Sequence, residues 1–293
     1  MTFWAKFSPA SASASSMFHV ERVLLPILAI LLGSCAAPIA GNGEVRFPGP
    51  GLELTGRLYV PESSGRHPAI VLLHGCSGLW GANGEPTPMY QHWAEILRAR
   101  GFVALHVDSF GPRGQKEICT QANRPVRPGR ERAADAKAAL RWLATRPDVD
   151  PARIHVMGWS NGGATVLYAI RGAAQPGEPR FRSAVAFYPG CRLLAREGYR
   201  TEVPLLIQIG AADDWTPAEY CETLAARARG GPVQIEVYPG AHHAFDNIVG
   251  QERLRPNVVN PNRPGGRGAT VGPNPAAREK AIQRTLEYLA LGR

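Results

Sequence analysis

Continuous apolar runs alternate along this chain with segments whose apolar residues recur at helical spacing. The predicted strands occupy residues 45–60, as two strands joined by a turn at Gly49-Pro50-Gly51, and 69–73, 102–107, 154–157, 184–187, 205–209 and 233–238. The predicted helices occupy residues 90–100, 131–145, 162–171, 217–229 and 275–291. Such apolar runs are typical of strands buried on both faces of a sheet. The alternation predicts an α/β fold, with a mostly parallel sheet flanked by helices on both faces.

Two stretches fall outside this pattern, residues 109–130 and 246–274, and both are rich in Pro, Gly and Arg. Loops of that length in a compact domain are often lids or binding loops, although the same composition is also found in plain surface loops. The chain has 293 residues, 44% of them hydrophobic, which suffices for one sizeable core. We therefore predict a single domain over residues 44–293.

The N-terminal region has the pattern of a secretory signal. Residues 23–32 are apolar, follow Arg22, and are too few to anchor the chain across a bilayer permanently. We predict a signal peptide over residues 1–34, with translation starting at Met1 or at Met17.

The apolar run ends in Leu32-Gly33-Ser34-Cys35, which resembles a bacterial lipobox, where the cysteine carries lipid. The alternative is ordinary signal cleavage, with Cys35 incidental. A tether rich in Ala, Pro, Gly and Asn follows over residues 35–43. Both alternatives place the domain in the periplasm or the cell envelope, and lipidation of Cys35 would anchor it to a membrane.

Beyond Cys35, four cysteines remain: Cys76, Cys119, Cys191 and Cys221. An even number in an exported protein predicts two disulfides, for which four cysteines allow three connectivities. We favour a pair between Cys191 and Cys221. The alternative for Cys76 is a free, buried thiol.

The charge is strongly positive. The chain carries +9, of which residues 1–34 supply +1, so the predicted mature domain retains +8. Six basic residues and two acidic ones lie between Arg113 and Arg132. This run favours anionic substrates or an anionic membrane surface, but such a run is more often a solvated loop. The basic run has no aromatic residues between its basic positions, and no nucleic-acid motif accompanies it. We therefore expect no nucleic-acid partner.

The chemistry centres on Met157-Gly158-Trp159-Ser160-Asn161-Gly162-Gly163, which follows a predicted strand and opens a predicted helix. That context defines a nucleophile elbow, in which the serine projects from a sharp turn. The glycines are needed because the turn presses backbone segments together and leaves no room for side chains. Ser160 is therefore the candidate nucleophile.

A serine hydroxyl needs a base, and the base needs a third group to orient it. His243 follows the last predicted strand, and its neighbour His242 is the competing candidate. Asp213 and Asp214 follow the strand at residues 205–209, which gives the chain order serine, aspartate, histidine. One of the two carboxylates would orient the histidine, and the other would be a solvated or helix-capping group.

An oxyanion formed by serine attack needs two N–H donors already in place. The backbone of Asn161, directly after the nucleophile, is one candidate, and the backbone of Cys76, in the loop after residue 73, is the other. We interpret His74 as structural. No Cys-x-x-Cys or His-Glu-x-x-His spacing occurs, and this chemistry requires no metal or other cofactor.

Together these pieces resemble the dienelactone hydrolase family over residues 44–291. The matching segments are residues 74–79, 108–114, the Ser160 elbow, 187–190, 213–217 and 243–245. The resemblance implies the α/β-hydrolase fold and hydrolysis of a small-molecule carboxylic ester or lactone without a cofactor.

The resemblance also selects among the candidates. The acid loop of the wider fold reads Gly-x-x-Asp-x-x-(Val/Thr)-Pro, which places the aspartate at Asp213, and the family histidine precedes a small residue and Phe, which selects His243. The namesake enzymes use a cysteine nucleophile and a glutamate in the oxyanion loop, where this chain has Ser160 and Gly75. These departures argue against dienelactone itself as substrate. Peptidase or acyltransferase chemistry on the same triad, and a non-catalytic envelope-binding lipoprotein, are the rival hypotheses.

Overall fold

A computed structural model of the chain describes residues 41–173 and 177–291, together with Met1 and Trp4. The helices and strands of the described residues lie within the unit Ile39–Arg293. Apart from Met1 and Trp4, the predicted signal peptide lies outside the described residues, and so does Cys35. Within the described part of the chain, no helix is both long and apolar enough to cross a membrane.

In the described part of the chain, eight strands form the central sheet, in the order β1-β2-β4-β3-β5-β6-β8-β10. The strands are β1 Gly43–Pro48, β2 Glu53–Tyr59, β3 His67–Leu73, β4 Val103–Asp108, β5 Val149–Trp159, β6 Ala184–Phe187, β7 Arg200–Thr201, β8 Leu205–Gly210, β9 Arg229–Gly230, β10 Val233–Tyr238, β11 Arg253–Val259 and β12 Arg267–Val271. The pairs β1·β2 and β2·β4 are antiparallel, and the remaining pairs of this sheet are parallel. The carboxyl ends of its parallel strands therefore lie along one edge.

The helices are α1 Pro88–Ala99, α2 Ala133–Ala144, α3 Asn161–Ala169, α4 Arg192–Glu197, α5 Ala218–Arg227 and α6 Pro275–Leu291. Short 3₁₀ turns span Gly111–Arg113 and Pro264–Gly266, and a π-helical turn spans Pro128–Arg132. Strands β3, β4, β6 and β8 are buried along their whole length because helices cover both faces of the sheet. The predicted α/β fold, its strands and its five helices are confirmed.

The stretch at residues 246–274 was predicted as a loop, and that prediction was wrong in part. It contains the antiparallel hairpin β11–β12, which stands apart from the central sheet. The hairpin lacks the usual strand pattern because β11 contains Pro256, has a register shift between Arg255 and Val259, and exposes most of its residues. Helix α4 was also not predicted.

Both disulfides expected from the cysteine count are present. Cys76 pairs with Cys119 and joins the loop after β3 to the Pro- and Gly-rich stretch at residues 109–130. Cys191 pairs with Cys221, as we favoured, and joins the start of α4 to α5. The alternative of a free thiol at Cys76 is therefore wrong.

The interpretation of the basic run as a solvated loop fails at both of its ends. Arg113 forms a two-pronged ion pair with the buried carboxylate of Asp135, with both N–O distances at 2.8 Å. Arg132 is fully buried, among the largest side chains in the interior. Between them, Arg127 and Arg130 are exposed, as a solvated loop would have them, whereas Arg124 is half-buried.

Candidate active site

Ser160 stands between the end of β5 and the start of α3, in the left-handed region at φ 55°. A β-carbon added at Gly162 would overlap the carbonyl oxygen of Leu73, and one added at Gly158 would overlap that of Gly162. The turn can therefore close only with glycine at both positions, and it holds Ser160 in a conformation that non-glycine residues seldom adopt.

Three predicted site residues meet in a continuous hydrogen-bonded row. His243 Nε2 lies 2.9 Å from Ser160 Oγ, and His243 Nδ1 lies 2.7 Å from Asp213 Oδ2. Because a carboxylate only accepts hydrogen bonds, the Nδ1 atom is the donor to Asp213, which leaves Nε2 able to accept from the Ser160 hydroxyl. His243 and Asp213 are buried, at 2% and 4% exposure, so little water competes for these bonds.

The loop after β8 fixes the Asp213 carboxylate. Its Oδ1 atom accepts hydrogen bonds from the backbone N–H groups of Trp215 and Thr216, at 2.9 and 2.8 Å. The Thr216 hydroxyl lies 2.9 Å from Oδ2. The ring of His243 lies between the rings of Tyr188 and Trp215, with centroid distances of 4.6 and 4.8 Å. Both the acid and the imidazole are therefore held on several sides.

The competing candidates lie elsewhere. His242 approaches Glu252, with 3.7 Å between Nε2 and Oε1. Asp214 accepts hydrogen bonds from the backbone N–H and the hydroxyl of Thr270, at 2.8 and 3.0 Å. The interpretation of the second carboxylate as solvated or helix-capping is thus wrong, because Asp214 ties the acid loop to the hairpin strand β12.

The two predicted oxyanion donors are the backbone N–H groups of Cys76 and Asn161. Neither donates a hydrogen bond to another group among the described residues. The neighbouring Gly75 N–H is already engaged, since it donates to the Tyr90 hydroxyl at 2.7 Å. Cys76 and Asn161 both line a cavity that also contains Ser160. Two free donors therefore lie beside the serine.

Two cavities open onto Ser160, and both are also lined by Cys76 and Trp215. The larger measures about 580 Å³ and the smaller about 270 Å³. Apolar and aromatic side chains, including Leu193, Tyr168 and Tyr220, form much of the larger wall, together with several arginines. No Asp or Glu of the described residues lines either cavity. The site is therefore concave, partly apolar and positively charged.

Sequence reasoning missed Asp246, which is fully buried beneath the site. Its Oδ2 atom accepts from the indole N–H groups of Trp93 and Trp159, each at 2.8 Å, and its Oδ1 atom from the Tyr188 hydroxyl at 2.6 Å. Burial raises the pKa of this carboxyl. Asp246 thereby links α1, the residue before the nucleophile and the tyrosine that packs on His243. The sequence around Asp246 gives no sign of this role, because its partners lie far away along the chain.

His74 has the surroundings of a structural residue. It is completely buried, its Nδ1 lies 2.7 Å from the Gly75 carbonyl oxygen, and the Ser109 backbone N–H donates to its Nε2 at 3.3 Å. Burial and the nearby Arg132 charge hold the pKa of His74 well below its ordinary value. It is therefore neutral and supports the loop that carries Cys76. Among the described residues, no group of three or more His, Cys, Asp or Glu side chains is arranged to hold a metal ion.

The sheet order, the elbow and the acid and histidine loops define an α/β-hydrolase. The sequence model of the dienelactone hydrolase family matches residues 54–291, so the chain belongs to the dienelactone hydrolase family. It is accordingly a hydrolase of the esterase or lactonase type.

Relatives at the sequence level are distant. The chain is 26% identical over 226 residues to a putative carboxymethylenebutenolidase of Yersinia pestis, covering 70% of this chain and 78% of that protein. It is 24% identical over 223 residues to a probable 2-oxo-3-(5-oxofuran-2-ylidene)propanoate lactonase of Bradyrhizobium, covering 71% of this chain and 82% of that one.

Solved structures show the same fold. A putative dienelactone hydrolase from Klebsiella pneumoniae superposes with a TM-score of 0.60 at 20% identity, covering 85% of this chain and 97% of that one. A thermophilic esterase from Thermogutta terrifontis with propionate bound gives a TM-score of 0.56 at 20% identity, covering 87% of this chain and 95% of that one.

Proposed function

We propose that this protein hydrolyses a carboxylic ester or a lactone through an acyl-enzyme on Ser160, with His243 as the general base and acid and Asp213 as the group that orients it. The observation that carries the proposal is the row of two hydrogen bonds from Ser160 Oγ to His243 and from His243 to Asp213. The two free N–H groups beside the serine support it.

In the first half of the reaction, Ser160 Oγ attacks the substrate carbonyl carbon while His243 Nε2 takes the hydroxyl proton. The π electron pair of the carbonyl moves to oxygen, and the N–H groups of Cys76 and Asn161 stabilise the resulting negative charge. The intermediate collapses when the bond to the alcohol oxygen breaks and His243 gives its proton to that oxygen. In a lactone the alcohol stays attached to the acyl group.

In the second half, water attacks the acyl group on Ser160. His243 takes a proton from the water, and a second tetrahedral intermediate forms. The same two N–H groups stabilise its negative oxygen. Its collapse releases the carboxylic acid and returns the proton to Ser160 Oγ. Asp213 keeps the imidazole in the tautomer that both halves need, and stabilises the imidazolium that forms in each.

The shape and charge of the site support a bulky substrate with negative charge. The wall of the larger cavity carries Arg124, Arg127, Arg130 and Arg192. Of these, Arg124 makes no hydrogen bond with the described residues. An ester with an apolar body and an anionic group would match that wall. The basic composition of residues 113–132 likewise favours an anionic substrate.

We also propose that the domain is exported. Disulfides persist in oxidising compartments and are rare in the cytosol, so the two disulfides support a periplasmic or envelope location. The apolar run before Cys35 supports the same route and lipidation of Cys35.

The test of the proposed function is Ser160→Ala, with Ser63→Ala as a control at an exposed serine between β2 and β3. Ser160→Ala should abolish both ester turnover and covalent labelling by a fluorophosphonate probe, and Ser63→Ala should retain both. Labelling that survives in Ser160→Ala would move the nucleophile elsewhere, and a wild-type protein without labelling or turnover would favour a binding protein. Parallel assays of esters, lactones and peptide amides would separate esterase from peptidase chemistry.

A further inference from the structure

Arg132 joins the two segments that carry the proposed oxyanion donors. It is the last residue of the π-helical turn Pro128–Arg132, and its side chain is fully buried. Its Nη1–H group donates to Asn161 Oδ1 at 2.6 Å and its Nη2–H group to the His74 carbonyl oxygen at 2.7 Å. His74 lies two residues before Cys76. The rigid, planar guanidinium therefore connects the loop that carries the Cys76 donor to the side chain of Asn161, whose backbone N–H is the other donor.

Arg132 forms no ion pair with the described residues, although the charges of Asp135 and Asp108 lie near enough to favour its protonated form. The nearby Asp135 carboxylate is bound by Arg113, and the Asp108 carboxylate accepts from Phe110, from Gly111 and from a tryptophan. The Arg132 Nε atom has no hydrogen-bond partner, and the guanidinium carbon lies 5.1 Å from the centre of the Phe110 ring. Burial lowers the pKa of Arg132 to about 10, so the group still carries its charge at neutral pH.

A buried cation without a direct ion-pair partner destabilises the folded protein. Arg132 contacts both segments of a site where, in the proposed mechanism, a negative charge forms transiently on the carbonyl oxygen between Cys76 and Asn161. We propose that Arg132 is a positioning residue of the oxyanion hole, which fixes the two donors relative to each other and whose charge is balanced when the substrate oxygen becomes negative. This inference rests on the proposed function.

The step in which Arg132 acts is the attack on the carbonyl. A bond forms between Ser160 Oγ and the carbonyl carbon, the π pair moves to oxygen, and the serine proton moves to His243 Nε2. Arg132 keeps all of its protons and acts through Asn161 and the loop that follows His74. Its effect should therefore concern the charged intermediate and not the binding of the neutral carbonyl.

The test compares Arg132→Gln, Arg132→Lys and the control Arg141→Gln, which removes the same charge from an exposed position on α2. An acetate ester gives kcat and KM. A trifluoromethyl ketone labelled with ¹³C at its carbonyl gives a hemiketal on Ser160, whose ionisation is followed by NMR as the pH is varied. The hemiketal oxygen stands where the oxyanion forms, so its pKa reports stabilisation of that charge.

We expect Arg132→Gln to lower kcat by about 100-fold with KM nearly unchanged. The hemiketal pKa should rise by about the logarithm of that loss. Arg132→Lys should recover part of both effects, because the charge remains although the two-pronged geometry is lost. Arg141→Gln should match the wild type in both measurements. A folded Arg132→Gln variant with the wild-type hemiketal pKa would overturn the proposal.

A second variant covers the case in which Arg132→Gln fails to fold. Asn161→Ala removes one acceptor of Arg132 but keeps the backbone N–H of residue 161, so the hemiketal pKa should again rise. An unchanged pKa in that variant would also overturn the role of Arg132. If the wild type forms no hemiketal at all, the proposed function fails. If it forms one and the Arg132 and Asn161 variants behave like the wild type, only the role of Arg132 fails.

Discussion

Asp214 and Thr270 are joined by two hydrogen bonds, from the threonine backbone N–H and from its hydroxyl to the two carboxylate oxygens. Two further contacts connect the acid loop to the same hairpin region. The Trp215 indole N–H donates to the Val259 carbonyl oxygen at 2.9 Å, and the Asn260 side-chain amide donates to the Asp214 carbonyl oxygen at 2.9 Å. Adjacent aspartates therefore face opposite ways, with Asp213 toward His243 and Asp214 toward the hairpin.

This division leads us to expect different losses from matched substitutions. Asp213→Asn should lower kcat by about 10⁴-fold, because an amide at this position no longer holds His243 in the required tautomer. Asp214→Asn should have a much smaller effect on kcat, since its remaining oxygen can still accept one bond from Thr270. Steady-state kinetics on one ester, with the thermal midpoint of each variant, would measure both. A larger loss of kcat in Asp214→Asn would reassign the acid.

Asp246 offers a test of stability. Asp246→Ala leaves the indole N–H groups of Trp93 and Trp159 and the Tyr188 hydroxyl buried without their acceptor. We expect a loss of about 3–5 kcal/mol in the free energy of unfolding, because unpaired buried donors carry their full desolvation penalty.

Asp246→Asn is the matched control. Its oxygen can keep the two indole bonds, and the Tyr188 hydroxyl can turn to accept from the amide. The loss measured by denaturant unfolding should therefore be much smaller than in Asp246→Ala. Equal losses in the two variants would show that the hydrogen-bond network does not determine the stability of this region.

The sequence predicts the fold well because the signal is local and repeated. Each buried strand is a short apolar run and each helix shows its own spacing, so neither requires knowledge of distant contacts. Ser160 is predictable for a similar reason, since the elbow is one continuous segment. Chain order and the preceding strands limit the acid to two adjacent aspartates and the base to two adjacent histidines. The resemblance to the family then selects Asp213 and His243.

The remaining parts depend on contacts between distant segments. Arg132 looks like one more member of a basic run, and only the folded chain shows that it is buried between Asn161 and His74. Asp246 meets Trp93 across 153 positions of the sequence, which no local pattern records. The hairpin β11–β12 is held by the acid loop and not by an alternating strand pattern, so its own composition resembles a loop.

Histidines in the core should make stability depend on pH. Burial lowers the pKa of His106 from 6.5 to about 4, and His106 donates from Nε2 to the Tyr90 carbonyl oxygen at 2.9 Å. Below pH 6.5 the unfolded chain therefore binds a proton that the folded chain does not, so the free energy of unfolding falls as the pH falls. His106 alone can account for up to about 3 kcal/mol between pH 6.5 and its folded pKa.

Denaturant unfolding at a series of pH values would measure this slope. His106→Gln should reduce the number of protons taken up on unfolding by up to one, relative to the control His92→Gln, which removes a histidine from a partly exposed position on α1. The comparison concerns slopes and not absolute stability, so a loss at neutral pH in His106→Gln does not affect it. An unchanged slope in His106→Gln would contradict the assignment of a neutral, buried histidine.

Lipidation of Cys35 can be tested on protein taken from its native envelope. If the lipobox-like sequence is processed, the protein should partition into a detergent phase, and its mature N-terminus should be a modified Cys35. Cys35→Ser should release the protein or block its processing, while ester turnover stays unchanged because the residue lies outside the hydrolase domain predicted over residues 44–293. A soluble native protein with a different N-terminus would contradict the anchor but not the hydrolase.

The disulfides should contribute to stability by restricting the unfolded chain. Cys76 and Cys119 are 43 positions apart, and Cys191 and Cys221 are 30 apart. For loops of this length the chain-entropy relation gives about 4 kcal/mol for each bridge.

Because all four cysteines are paired, thiol titration of the unfolded, unreduced domain should find none of them free. Reduction should lower the free energy of unfolding. Cys191→Ser with Cys221→Ser should lower it without exposing a thiol. Four free thiols in material from the native envelope would contradict both bridges and remove one support for export.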